Sequence, residues 1–155
     1  MGPLPDRFTM RHRAFILLRA LMATCAGHEG SVTSIDFSTD GAVLQSNSTA
    51  GELMYWDVES GARITDTAKI KAKEWASWTC TYGWPVQGLW DRRDGVDDGT
   101  SPMPLAVCRS HGSDMLVSAD SFGHLKLRRY PCTSASAQWR RYYAHSPQVR
   151  NVCFS

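Results

Sequence analysis

The chain has 155 residues, 43% of them hydrophobic, with six tryptophans and a formal net charge of +2. That composition is too apolar for a disordered chain and too evenly charged to demand a nucleic-acid partner. The five cysteines form no C-x-x-C pair and are odd in number, which excludes a zinc motif and a complete disulfide set and leaves buried free thiols in a reducing compartment as the expectation.

Residues 1–20 open with Arg7, Arg11 and Arg13 ahead of an apolar stretch that runs on to Ala26. One reading is a weak signal peptide ending at Ala26. Arg19 interrupts the stretch, which weakens that reading and excludes a membrane span. The preferred reading makes 21–25 an outer strand leading into Gly27-His28. Residues 1–20 are then a short helix, a disordered tail or non-native sequence from a mis-called start.

From Gly27-His28 the pattern becomes regular. Val32, Ile35 and Phe37 stand out among small and polar residues, the mark of a half-buried strand. Asp40-Gly41 is a turn, residues 43–48 a second strand, Ala50-Gly51 a second turn, and a third strand ends in Tyr55-Trp56-Asp57. The frame recurs. His145 to Ser155 echoes His28 to Ser38 at a constant offset of 117 positions. Between the two copies, 105–110 and 115–119 supply further strands, Phe122-Gly123 a turn, and Leu125-Lys126-Leu127 an alternating third strand. No segment after Cys25 carries a convincing 3.6-residue stripe.

Gly-His, three strands and Trp-Asp make the layout of one blade of a WD-type propeller. The expected fold is therefore all-β: a WD-repeat β-propeller fragment of about two and a half four-stranded antiparallel blades, after a short N-terminal helix or disordered tail. The expected divisions are a tail over 1–20, a blade over 21–66, a blade over 67–131 with an inserted loop at 91–104, and the start of a third blade over 138–155. Two and a half blades do not close a propeller, so the chain reads as a piece of something longer.

The middle of the chain is more specific than the frame. It contains Glu74-Trp75-Ala76-Ser77-Trp78-Thr79-Cys80-Thr81-Tyr82-Gly83, then Ala106-Val107-Cys108-Arg109-Ser110-His111, then Asp120-Ser121-Phe122-Gly123 leading to Tyr130-Pro131-Cys132. These stretches, with Ser46-Asn47-Ser48 and Leu53-Met54-Tyr55-Trp56-Asp57, resemble the echinoderm microtubule-associated protein-like family. The resemblance covers roughly residues 21–155. It implies a tandem pair of propellers forming one rigid unit that binds tubulin, with this chain drawn from the second propeller. The family's coiled coil and hydrophobic motif have no counterpart here, so full microtubule attachment is expected to need more than these residues.

The resemblance makes the chain a non-enzymatic tubulin- and microtubule-binding scaffold of the cytoplasmic cytoskeleton, without cofactor, nucleic acid or membrane. A generic WD-repeat scaffold with a different protein partner is the alternative. An enzyme is not expected, because no nucleophile–base pair, metal spacing or phosphate-cradling glycine loop is present.

Individual residues sharpen this picture. His28, Ser46 and Trp56 occupy the positions that in WD blades form a buried hydrogen-bond chain with a turn aspartate. That aspartate position reads as Ala50, so the chain looks incomplete. Arg128 stands where the second blade's tryptophan belongs, which implies altered packing or a guanidinium stacked on a neighbour. His111, His124 and His145 match no metal spacing. The sequon at Asn47 lies in an inner strand and is discounted. The acidic loop of Asp91, Asp94, Asp97 and Asp98 lacks EF-hand spacing and reads as solvated. Its flanking Trp84 and Trp90 read as blade packing or as interface anchors, with Arg92 and Arg93 beside them as a speculative interaction surface. Other basic spots, residues 69–73, Arg128-Arg129 and Arg140-Arg141, read as solvated strand ends or a face for an acidic partner.

Overall fold

The computed structural model describes residues 21–90, 102–143, 145 and 148–155. Two antiparallel sheets carry the chain. The first contains β1 (Val32–Phe37), β2 (Val43–Ser48) and β3 (Leu53–Asp57), in that order. The second contains β4 (Pro104–Arg109), β5 (Met115–Asp120), β6 (His124–Arg129) and β7 (Trp139–Tyr143), again in chain order. This is the all-β propeller-blade arrangement that the period-2 pattern predicts.

The repeated serine of the frame has a physical job in each blade. Ser38 Oγ accepts from the Val43 amide at 2.9 Å and donates to Asp40 at 2.6 Å, clamping the β1–β2 turn. Ser110 does the same between β4 and β5, accepting from Met115 at 3.0 Å and donating to Asp114 at 2.9 Å. In both turns a short polar side chain stands in for backbone partners that the tight reversal leaves unpaired.

Three expectations need correction. Residues 21–25 form no strand, and Leu21 and Met22 are exposed. A single turn of helix, α1 (Thr67–Lys71), begins after Asp66, whose carboxylate accepts from the Ala68 amide at 3.1 Å. It is too short to show helical periodicity. Residues 139–143, which the sequence groups with a following blade, pair with β6 and complete the second sheet. Among the described residues the first sheet has no comparable fourth strand. Arg63 makes only an isolated bridge to Trp56, and the chain then turns into α1.

Between the sheets runs the segment 74–90, which ends in a 3-10 helix over Trp84–Leu89. It supplies four of the nine buried residues of the hydrophobic core cluster. Trp75, Trp78, Val86 and Leu89 pack with Ile70, with Val43 of the first sheet, with Val107 and Leu116 of the second, and with Cys132. Full burial of a side chain of this size stabilises by roughly 1.5–3 kcal/mol. The blades are therefore joined through a wedge, and this wedge is why the first two copies of the frame stand farther apart than one blade requires.

Candidate interaction surface

The hydrogen-bond chain of the first blade is closed, contrary to the expectation built on Ala50. Trp56 Nε1 donates to Ser46 Oγ at 2.7 Å, and Ser46 lies 2.6 Å from His28 Nε2. Beyond the bond it accepts from Trp56, the Ser46 hydroxyl keeps one proton and one lone pair, so it can meet Nε2 in either ring tautomer. Nδ1 lies 2.9 Å from Glu52 Oε2. The acid is thus Glu52, two positions past Ala50, at the start of the third-strand segment. Hydrogen bonds from Ser48 and then His28 hold its carboxyl below the usual range, against the opposing effect of burial. His28 is thereby committed to a structural role, and its ring packs edge-on against Trp56 at 5.8 Å.

A second network was not legible in the sequence. Asp36, next to the last residue of β1, is 1% exposed. It accepts from Ser77 Oγ at 2.6 Å, the Thr79 amide at 2.9 Å, the Cys80 amide at 3.1 Å and Gln45 Nε2 at 3.1 Å. Burial alone would raise its pKa. The donors from Ser77, Thr79, Gln45 and Cys80 outweigh burial and pull it down. One carboxylate therefore pins the wedge to the inner strand of the first blade. The Cys80 thiol is pushed far up, chiefly by burial and then by the Asp36 charge, so it is no nucleophile.

The wedge is held on its other side by Arg109 of β4. Its guanidinium donates to the carbonyls of Trp75 at 2.6 Å and Ala76 at 3.1 Å and sits 5.4 Å from the Tyr130 ring. After Tyr130 comes a cis peptide bond to Pro131. Cys132 then exchanges backbone hydrogen bonds with the 3-10 helix, donating to Pro85 and accepting from Gly88 at 2.8 Å each. The stretches that carried the resemblance are thus the wedge and the two places where it is anchored.

The motif of the middle segment therefore describes one structural device, and comparison with known proteins gives it a family. The family model described as the echinoderm microtubule-associated protein second beta-propeller matches residues 17–155. The chain belongs to this family. Echinoderm microtubule-associated protein-like 2 of Rattus norvegicus is 37% identical over 134 residues, covering 86% of this chain and 20% of that protein. Echinoderm microtubule-associated protein-like 3 of Mus musculus and -like 4 of Xenopus tropicalis are each 37% identical over 133 residues, covering 84% of this chain and 14% of theirs. The chain thus spans about a fifth or less of the length of these relatives.

Within this echinoderm microtubule-associated protein-type propeller, the predicted surface residues separate. Trp90 stacks on Tyr82, centroids 4.6 Å apart and planes 9° from parallel, and its Nε1 donates to the Thr81 carbonyl at 2.7 Å. It braces the wedge. Trp84 is 64% exposed and stands at the mouth of a cleft of about 800 Å³ between the blades. Tyr55, Trp75, Trp78, Arg109 and Tyr130 line that cleft. Arg92, Arg93 and the acidic loop lie outside the described residues. Among the described residues, no group of three His, Cys, Asp or Glu side chains is placed to hold a metal.

The second blade rebuilds the Trp56–Ser46 contact with different chemistry. Arg128 pairs across the sheet with Leu116, as Trp56 does with Leu44. Its guanidinium donates to Ser118 Oγ at 2.9 Å and lies 5.9 Å from the Trp139 ring centroid. The guanidinium that replaces the indole is thus held by Ser118, with Trp139 at cation–π range. Asp120 accepts from the Phe122 and His124 amides at 3.0 Å each and pairs with Lys126 at 2.9 Å.

Proposed function

We propose that this chain is a tubulin-binding scaffold segment that serves microtubule association as part of a second propeller. The observation that carries the reading is the family match over residues 17–155, a span that includes the wedge and its anchors. Supporting it, the cleft presents an exposed indole, Trp84, above an aromatic floor, an arrangement suited to anchoring one side chain of a protein partner. The chain works on this reading in the cytoplasm, on the cytoskeleton, as a non-enzymatic module with no cofactor and with neither nucleic acid nor membrane as partner.

Co-sedimentation with polymerised microtubules tests it, using both the 155-residue chain and a longer family protein that contains this propeller. The expected result is pelleting that weakens in the Trp84→Ala variant. A longer protein that stays in the supernatant at low salt, with or without Trp84, overturns the reading. The alternative is a peptide from a non-tubulin partner in the same cleft. The aromatic lining of the cleft favours it as a second reading, and pull-down from tubulin-depleted extract distinguishes the two.

A further inference from the structure

The second sheet ends in a strand that no other described strand pairs on its outer side. β7 is the outermost strand of its sheet, and all five of its residues are exposed. Its sequence, Trp139-Arg140-Arg141-Tyr142-Tyr143, contains no acid, and neither does β6, His124-Leu125-Lys126-Leu127-Arg128-Arg129. The sequence shows Arg128-Arg129 and Arg140-Arg141 as two unrelated basic spots. The pairing Lys126↔Arg141, Leu127↔Arg140 and Arg128↔Trp139 sets them side by side; Arg128 is buried against Ser118 and Lys126 pairs with Asp120, so the exposed cations of the strip are Arg129, Arg140 and Arg141.

Cations and rings alternate along this strip. The Arg141 guanidinium lies 4.7 Å from the Trp139 ring centroid and 5.5 Å from that of Tyr143. Its Nη1 also donates to the Tyr143 hydroxyl at 2.8 Å. Lys126 lies 5.6 Å from the Trp139 ring. The contacts fix the side chains of one face, so their ordering entropy is already spent before a partner arrives. Alternation along the strand sends Arg140 and Tyr142 to the other face.

We infer that β7 is a docking edge for an acidic, extended segment of another protein, which adds to the sheet as a fifth strand. The open backbone edge supplies main-chain hydrogen bonds over about 17 Å, the length of five strand residues. Arg140 and Arg141, projecting to opposite faces, meet acidic side chains on both faces of the added strand. A second copy of β7 is disfavoured at this edge, because arginines would face arginines. This edge is separate from the Trp84 cleft, which lies between the blades.

Fluorescence anisotropy on the full 155-residue chain tests it with a labelled 12-residue probe in which Glu alternates with Val and Thr. Two control probes replace every Glu by Gln, or place Pro at alternate positions with the charge unchanged. The expected result is saturable binding of the Glu probe only, weakened at least about tenfold in R140E/R141E and by about 0.5 M salt. R140K/R141K keeps the charge and retains most of the binding, which separates loss of charge from loss of fold. Absence of binding at low salt overturns the inference. So does equal binding of the Gln probe, or indifference to charge reversal. Equal binding of the Pro probe overturns strand addition, because proline lacks the amide hydrogen a new strand must donate. Microtubule co-sedimentation of the same variants reads the proposed function separately.

Discussion

Replacing Asp36 with alanine removes the acceptor shared by Ser77, Thr79, Cys80 and Gln45. The hydroxyl of Ser77 can turn to water, but the Cys80 amide and the Gln45 side chain are buried and lose their partner. A buried donor left unsatisfied costs about 1–3 kcal/mol, and breaking a buried charged contact costs about 3–5 kcal/mol. The expected destabilisation for Asp36→Ala is therefore about 3–5 kcal/mol. Asp36→Asn keeps the shape and one carbonyl oxygen but turns an NH2 toward N–H donors, so about 2–3 kcal/mol is expected. The measurement is the urea midpoint at constant m-value, joined to amide exchange at Thr79 and Cys80, which should lose protection first. The sign of the pH effect follows from the lowered pKa. The contribution is complete above the ordinary aspartate value of about 4 and is lost as pH falls below it, through the depressed folded value. A loss of stability under about 1 kcal/mol in Asp36→Ala, with Cys80 exchange unchanged, would refute the pin.

Ser46→Ala strips both Trp56 Nε1 and His28 Nε2 of their partner and is expected to cost about 1–2 kcal/mol; a double-mutant cycle with Trp56→Phe should show coupling, and strict additivity would count against the network. Gly88→Ala drives a Cβ into the Ser134 carbonyl oxygen and to 2.8 Å from Cys132 Sγ, so the 3-10 helix must move off its anchor. A lower melting temperature, equivalent to about 1–3 kcal/mol, is the expected readout. Thiol labelling under native conditions should modify Cys25 and Cys153, which are exposed, long before the buried Cys80 and Cys132. Burial pushes the pKa of both Cys80 and Cys132 up, so rapid native labelling at Cys80 would contradict the packing.

The strands were legible because their apolar residues alternate and their turns carry Gly, Asp and Ser at the reversals, as at Ser38-Asp40-Gly41 and Asp120-Gly123. Arg128 was legible as a replacement for tryptophan because the register around it is intact. Glu52 was not, because the expected acid belongs in the turn, while a longer side chain starting two residues later reaches the same imidazole. Asp36 was invisible for a different reason. In sequence it is one more polar residue on an alternating strand, and three of its four partners lie about forty residues away on a segment without periodicity. Trp84 and Trp90 look alike in sequence. Only the stacking of Trp90 on Tyr82 separates a brace from an exposed ring.

The pin at Asp36 also sets an order of assembly. During synthesis the first sheet is complete once Asp57 has emerged, since its pairing is entirely local. Its Asp36 carboxylate must then stay hydrated until residues 77–80 arrive to receive it. The half-made blade consequently keeps one face wet, which discourages premature pairing with another nascent chain. When the wedge emerges, the same charge draws it into place, and the first blade is locked by sequence made after it.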